Sequence, residues 1–270
     1  MNIEKMIEIK SDLGITNTMI AKMTGVPLGT VQKIFSGETK SPRYETVQAI
    51  SKVFDEIQAG FLHDGTPAYN AFSSGRKSSV PDKKDYNNKT IEDYIALPEG
   101  TRIELIDGKF YDMAAPTTKH QKIGFELCYM FEGFVESNNG KCVPFVAPTD
   151  VQLDCDNKTM VQPDVLVVCD RSKITNARIV GAPDLIVEVL SPSNYMVDLV
   201  IKLAKYKHAG VREYWVVIPE EKTLFVYEFE KSDDPVHYTF EDTVPVGIWD
   251  GKCKIDFKRI YKKMEFMYQD

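Results

Sequence analysis

The chain has 270 residues, 43% of them hydrophobic and 27% charged, and a formal charge of −7 from 40 acids and 33 bases. That composition excludes a collagen-like, mucin-like or wholly disordered protein, and it confines any nucleic-acid contact to a local face. No apolar run approaches the ~20 residues that cross a bilayer, and the opening MNIEKMIEIK lacks the apolar stretch of a secretory signal, so no membrane partner is expected. Cys128, Cys142, Cys155, Cys169 and Cys253 stand singly with no CxxC. Neither a disulfide framework nor a zinc knuckle is expected from them, and a reducing, cytoplasmic location fits.

Residues 1–59 read as a small all-α domain. Thr16 to Gly25 begins with a capping residue and ends on a glycine stop, with Ile20, Ala21 and Met23 as its apolar face. A second short helix spans Leu28 to Phe35. A third, Arg43 to Phe54, sets Val47, Ile50, Val53 and Phe54 on one stripe. Two short helices joined at Gly25 have helix-turn-helix spacing, with the second placed to enter the major groove. Residues 60–89 are rich in Gly, Ser, Pro, Asn and Lys and poor in aliphatics, the composition of a flexible linker.

The text TNTMIAKMTGVPLGTVQKIFSGETKSPRYETVQAISKVF resembles the Cro/repressor-type (XRE-like) helix-turn-helix family over about forty residues. The resemblance implies that Leu28, Gly29, Thr30, Gln32 and Lys33 lie at or beside the base-reading edge. Gln32 then suits adenine, and Lys33 and Arg43 suit guanine or phosphate. Such modules commonly act as dimers on two-fold sites, so a homodimer on DNA is expected.

Residues 90–270 read as a second, mixed α/β domain. Ile103 to Tyr111 alternates around Asp107-Gly108, a hairpin signal. A long amphipathic helix follows from Thr118 to Ser137, with Ile123, Leu127, Met130, Phe131 and Phe134 buried. Strand text follows at Val143 to Val146, Val151 to Leu153, Val165 to Cys169 and Leu185 to Leu190. A helix spans Ser193 to Ala209, and strands Glu213 to Ile218 and Thr223 to Phe229 complete a mixed sheet flanked by helices.

Two acids stand out in this sheet. Glu188 sits within the apolar LIVEVL, where an unpaired charge costs several kcal/mol on the scale of about 2–7 for a buried polar group. Asp164 opens the apolar VLVV after Pro163. Acids on neighbouring strands can converge on Mg2+ or Mn2+, whose preference is for carboxylate oxygen; the competing reading is a pair of strand-end acids in water or salt bridges. Lys202 follows Asp198 by four residues, which reads either as an exposed helix pair or as a cation near the acids. His120 on the first turn of its helix reads first as a surface or capping histidine, Glu104 by alternation as exposed, and Glu126 first as a solvated helix acid, with an additional metal-side acid as the alternative. Tyr206, Tyr214 and Trp215 read as packing residues.

VQPDVLVV, GAPDLIVEVLSPS and DLVIKLAKYKHAGVREYWVV together resemble the Uma family of restriction-endonuclease-like proteins, a branch of the PD-(D/E)XK nuclease superfamily, over about Thr90 to Phe229. The resemblance implies that Asp164 and Glu188 are catalytic metal ligands. At Glu188-Val189-Leu190 the lysine position of the superfamily pattern holds Leu190, and the resemblance implies that Lys202 on the next helix supplies that group. Glu104, His120 and Asp150 match upstream family text as candidates to line the cleft. The expected function is a metal-dependent DNA endonuclease directed by the helix-turn-helix. The alternative is a transcription regulator whose nuclease-like domain is inactive and serves dimerisation or sensing.

Overall fold

The computed structural model describes residues 1–12, 15–40, 42–62, 86–153, 157–190, 201–232 and 234–269. The chain divides into two compact units, a helical one and a sheet-bearing one.

In the helical unit, α1 (Ile3–Asp12), α2 (Asn17–Thr24), α3 (Leu28–Phe35) and α4 (Tyr44–Leu62) enclose a small core. Thr16 caps α2, its Oγ1 accepting from the Met19 N–H at 3.1 Å, and Gly25 ends it at φ 69°. The left-handed backbone there favours glycine, which is why the sequence stops the helix at that residue. Met6, Ile15, Met19, Ile20, Val31, Ile34, Ile50 and Phe54 are buried. On α2 the buried pair is Met19 and Ile20, whereas Ala21 and Met23 are only half-buried. The fourth helix continues past Phe54 through Gly60 to Leu62, so Gly60 lies within a helix and the expected linker does not start there. A glycine within a helix costs only about 1 kcal/mol relative to alanine, too little to force a stop.

Among the described residues the sheet-bearing unit begins at Tyr86, inside the stretch read as linker. The Tyr86 carbonyl accepts from Phe110 N–H at 2.9 Å, its ring meets Phe110 edge-on, and the Lys89 N–H donates to the Gly108 carbonyl at 2.7 Å. Residues 63–85 of that stretch lie outside the described residues. After α5 (Ile91–Ile95), β1 (Ile103–Ile106) and β2 (Lys109–Asp112) form the expected hairpin. Asp107 and Gly108 both take positive φ, 49° and 78°, as a two-residue type I′ turn requires. Then come α6 (Thr118–Ser137), β3 (Val143–Val146), β4 (Val151–Gln152), β5 (Val165–Val168), β6 (Ile179–Val180), β7 (Leu185–Val189), α7 (Lys202–Ala209), β8 (Glu213–Ile218), β9 (Thr223–Glu228), β10 (Val236–Thr239), β11 (Thr243–Pro245), β12 (Lys254–Asp256) and α8 (Phe257–Met264).

The main sheet has six strands in the order β10-β9-β8-β7-β5-β3. It is mixed: β7 and β8 run parallel and its other neighbours antiparallel. Strand β4 stands outside it, paired with β6 in a separate parallel pair, although its sequence reads like the sheet strands beside it. One face of the sheet is covered by α6, through Ile123, Leu127 and Phe131, and by α8, through Phe257, Ile260 and Met264. These meet Val165, Val167, Leu185, Val187 and Trp215 in one core. Strands β5, β7 and β8 are buried at every position, so both faces are covered and alternation is lost from their sequences. The helix read from Ser193 is described only from Lys202 onward, and residues 191–200 lie outside the described residues.

The expectation of unpaired cysteines is overturned. Cys142 and Cys169 form a disulfide, 27 residues apart in sequence. The β3–β5 register pairs Val143 with Val168, so the two cysteines are the next facing pair, a relation no local spacing motif reveals. The expectation for Glu126 fails as well: it is buried, bonded by Lys122 at 2.7 Å and by Lys263, and thereby fastens α8 to α6. Burial pushes its carboxyl upward, but the two lysines outweigh that and hold it below the ordinary value.

Candidate active site

The two expected acids face each other across the sheet. Antiparallel β5 and β7 pair Val165 with Val187, and one further step of the same register sets Asp164 opposite Glu188. Directly opposed residues have Cβ atoms about 4.5–5.5 Å apart. Asp164 Oδ2 accepts from the Val189 N–H at 2.7 Å and lies 3.0 Å from His120 Nε2. His120 comes from the first turn of α6, where the Thr117 N-cap accepts its backbone N–H at 3.2 Å. Its residue exposure is 9%, and its Nδ1 has no hydrogen-bond partner among the described residues. The reading of His120 as a surface or capping histidine is thus overturned, since it is buried against Asp164.

Glu188 is buried, and the Tyr206 hydroxyl on α7 donates to its Oε1 at 2.6 Å. A short bond to a carboxylate is the strong, charge-assisted kind. Tyr206 is itself fully buried, with its ring edge-on to Tyr214. Sequence reading took Tyr206 for packing alone. The available signal was its place one helical turn after Lys202, which puts the two on one face of α7. Lys202 is the first residue of α7 and is 3% exposed, so the exposed-pair reading does not hold for it; Asp198 lies outside the described residues.

A cavity of about 70 Å³ opens beside Asp164. His120, Gln121, Gln162, Asp164 and Arg102 give it polar walls, and Met113 and Pro148 contribute apolar ones. Behind Gln162 is a hydrogen-bonded group that holds both other upstream acids. The Gln162 N–H donates to Glu104 Oε1 at 2.7 Å, and its side-chain amide donates to Asp150 Oδ1 at 2.7 Å and to the Tyr94 hydroxyl at 3.0 Å. The Tyr94 hydroxyl in turn donates to Asp150 at 2.9 Å. Burial, then the Asp150 charge, raises the Tyr94 phenol above its ordinary value. Glu104 is buried, contrary to the exposure read from alternation. The reason is that β1 also exchanges backbone bonds with Met160, at Leu105, so its far side is covered. Glu104 and Asp150 therefore brace the segment leading into Asp164, and neither is among the cavity-lining residues.

Among the described residues, no group of three or more His, Cys, Asp and Glu side chains is placed to hold a metal ion. The donors at hand are the two opposed carboxylates. They suit magnesium, which keeps several waters and takes one or two protein carboxylates, better than they suit zinc.

In the helical unit, Leu28, Gly29, Thr30, Gln32, Lys33 and Arg43 are all exposed, and Val31 and Ile34 turn inward to fix the helix that carries them. Lys33 Nζ lies 3.3 Å from Glu38, a solvent-exposed pair of the kind worth about 0–1 kcal/mol and readily exchanged for a phosphate.

Residues 91–247 match the Uma2 family model, described as "Putative restriction endonuclease". The chain belongs to the Uma2 family. Residues 8–61 match a helix-turn-helix family model, so a helix-turn-helix domain precedes the Uma2 domain. An uncharacterized protein of Synechocystis sp. is 27% identical over 146 residues, covering 53% of this chain and 74% of that one. A crystal structure described as a putative nuclease belonging to DUF820, from Anabaena variabilis, is similar in fold at a TM-score of 0.54 and 22% identity, covering 64% of this chain and 97% of the other. These likenesses bear out the mixed sheet flanked by helices and the helical domain before it. No helix among the described residues is long and apolar enough to cross a membrane.

Proposed function

We propose that this Uma2 protein is a metal-dependent DNA endonuclease directed to its target by the helix-turn-helix domain. The observation that carries the reading is the opposition of Asp164 and Glu188 across β5 and β7, beside a polar cavity. In this reading the protein has a DNA-binding domain that runs to the end of α4 at Leu62, a linker and a catalytic domain that includes Tyr86 onward, and acts in the cytoplasm as a homodimer on DNA. Asp164 and Glu188 hold Mg2+ or Mn2+. When bound, such an ion supplies Lewis-acid polarisation of a phosphoryl oxygen and a lowered pKa of bound water.

The chain's own residues do the positioning. The Val189 N–H and His120 both engage Oδ2 of Asp164, which fixes the plane of that carboxylate. Tyr206 fixes Glu188 in the same way. Lys202 orients the attacking water or neutralises charge developing on the phosphate. Water oxygen bonds to phosphorus, the bond to the leaving oxygen breaks, and a proton from water ends on that oxygen. One product end then carries phosphate and the other hydroxyl, and no protein–DNA bond forms.

The test is cleavage of supercoiled, linear and single-stranded DNA with and without magnesium or manganese. Metal-dependent cleavage that Asp164→Asn abolishes supports the reading. Absence of cleavage in every combination refutes it and leaves the chain as a DNA-binding regulator whose Uma2 domain is inactive.

A further inference from the structure

We propose that Arg102 is the anion-binding residue of the cavity, gripping a non-bridging oxygen of a phosphodiester while Asp164 occupies the opposite, cation-seeking role; the proposal rests on the nuclease reading and adds a substrate contact to it. Arg102 immediately precedes β1, and its backbone is fixed by the Met113 N–H, which donates to its carbonyl at 3.0 Å. It lines the same cavity as His120, Gln121 and Asp164. Three other cations of this unit are held by acids: Lys119 pairs with Glu220, Arg212 with Asp184 and Glu230, and Lys258 with Glu241. Among the described residues no acid lies within ion-pair distance of the Arg102 guanidinium, although it is exposed and stands at the edge of a polar cavity.

Three features of the cavity favour a phosphodiester as the occupant. The guanidinium fork matches phosphate oxygens two at a time, which an ammonium cannot do. The lining also draws on the N-terminal end of α6, with Pro116 just before it and His120 and Gln121 at its start. That 20-residue helix carries no acid of its own in its first turn, so its positive end favours an anion. Gln121 adds an amide to the same lining. A carboxylate and a guanidinium lining one cavity also fit the two needs of a metal-assisted phosphate site, a cation ligand and an anchor for the remaining negative charge.

The experiment uses the full chain and bis(4-nitrophenyl) phosphate, a phosphodiester without bases that gives the helix-turn-helix nothing to read. Binding is followed by phosphorus NMR line broadening, in EDTA and again with manganese, and hydrolysis by release of 4-nitrophenolate. Arg102→Gln should weaken binding by about ten-fold or more, the loss expected when a charge-assisted hydrogen bond is removed. Arg102→Lys should recover part of it, and Lys254→Gln, an exposed cation on β12, should change nothing. Equal affinity of wild type and Arg102→Gln overturns the proposal, as does absence of saturable binding by wild type in both conditions. Arg102-dependent binding without any nitrophenolate release defeats the nuclease reading and leaves the anion site standing. Hydrolysis with kcat and KM unmoved by Arg102→Gln does the opposite.

Discussion

Replacing Tyr206 with phenylalanine removes one oxygen from the interior and nothing else. The ring keeps its edge-on contact with Tyr214, at 5.1 Å between centroids, so no ring-sized cavity opens. What is lost is the 2.6 Å donation to Glu188, a carboxylate with 2% exposure that water cannot reach to compensate. Hydrogen bonds to charged groups contribute about 1.5–3 kcal/mol, and the carboxylate is left short of a donor. A loss of roughly 2 kcal/mol is therefore expected in the metal-free protein, or about 4–8 °C in Tm for a unit of this size. The assay is urea unfolding followed by tryptophan fluorescence. The chain has two tryptophans, Trp215 and Trp249, and both report on the sheet-bearing unit. A double-mutant cycle with Glu188→Gln isolates the pair, and its coupling should match the single loss within the usual error. If Tyr206→Phe unfolds within about 0.5 kcal/mol of wild type, or the two substitutions simply add, Tyr206 does not hold Glu188 and the positioning argument falls.

Asp164→Asn and Glu188→Gln should each abolish the calorimetric heat of magnesium or manganese binding while the far-ultraviolet circular dichroism is unchanged, and unaltered titrations would exclude the opposed pair as the metal site. Lys202→Ala should leave DNA affinity near wild type and lower single-turnover cleavage by about 10²-fold, the scale of one lost electrostatic stabiliser; equal rates would remove the lysine from the mechanism. Gln32→Ala combined with Lys33→Ala should weaken duplex binding and flatten the plot of log affinity against log salt by about one, because one phosphate contact is gone; an unchanged slope would mean that Lys33 meets no phosphate. Glu213 is 1% exposed, and burial raises its carboxyl pKa despite bonds from the Trp215 indole and the Ile248 N–H. A carboxyl raised on folding gives its full stability below the ordinary value of about 4.5 and loses it as pH climbs through the folded value. The unfolding free energy of Glu213→Gln should therefore gain on wild type as pH rises from about 4.5 toward 7, and parallel curves would contradict this.

Local chemistry made much of this protein legible from its residues alone. The Thr16 cap, the Gly25 stop and the Asp107-Gly108 turn each specify backbone angles that few other residues adopt, so two helices and a hairpin are encoded where they stand. The long helix from Thr118 to Ser137 is encoded by its apolar period. The acids Asp164 and Glu188 were conspicuous because a charge beside an apolar strand is costly without a partner, and that cost is readable in one dimension. The partners were not. His120 bonds Asp164, Tyr206 bonds Glu188 and Glu104 bonds Gln162 across 18 to 58 residues, and nothing local marks them. Alternation failed at Glu104 because β1 gained a neighbour at Met160, and strands covered on both sides carry no sidedness in their sequence. Cys142 and Cys169 looked solitary until the β3–β5 register set them face to face. Hydrophobic period and turn geometry are properties of neighbouring residues and survive in the sequence, whereas register, burial and hydrogen-bond partnership belong to pairs of distant segments and are decided only when the sheet assembles.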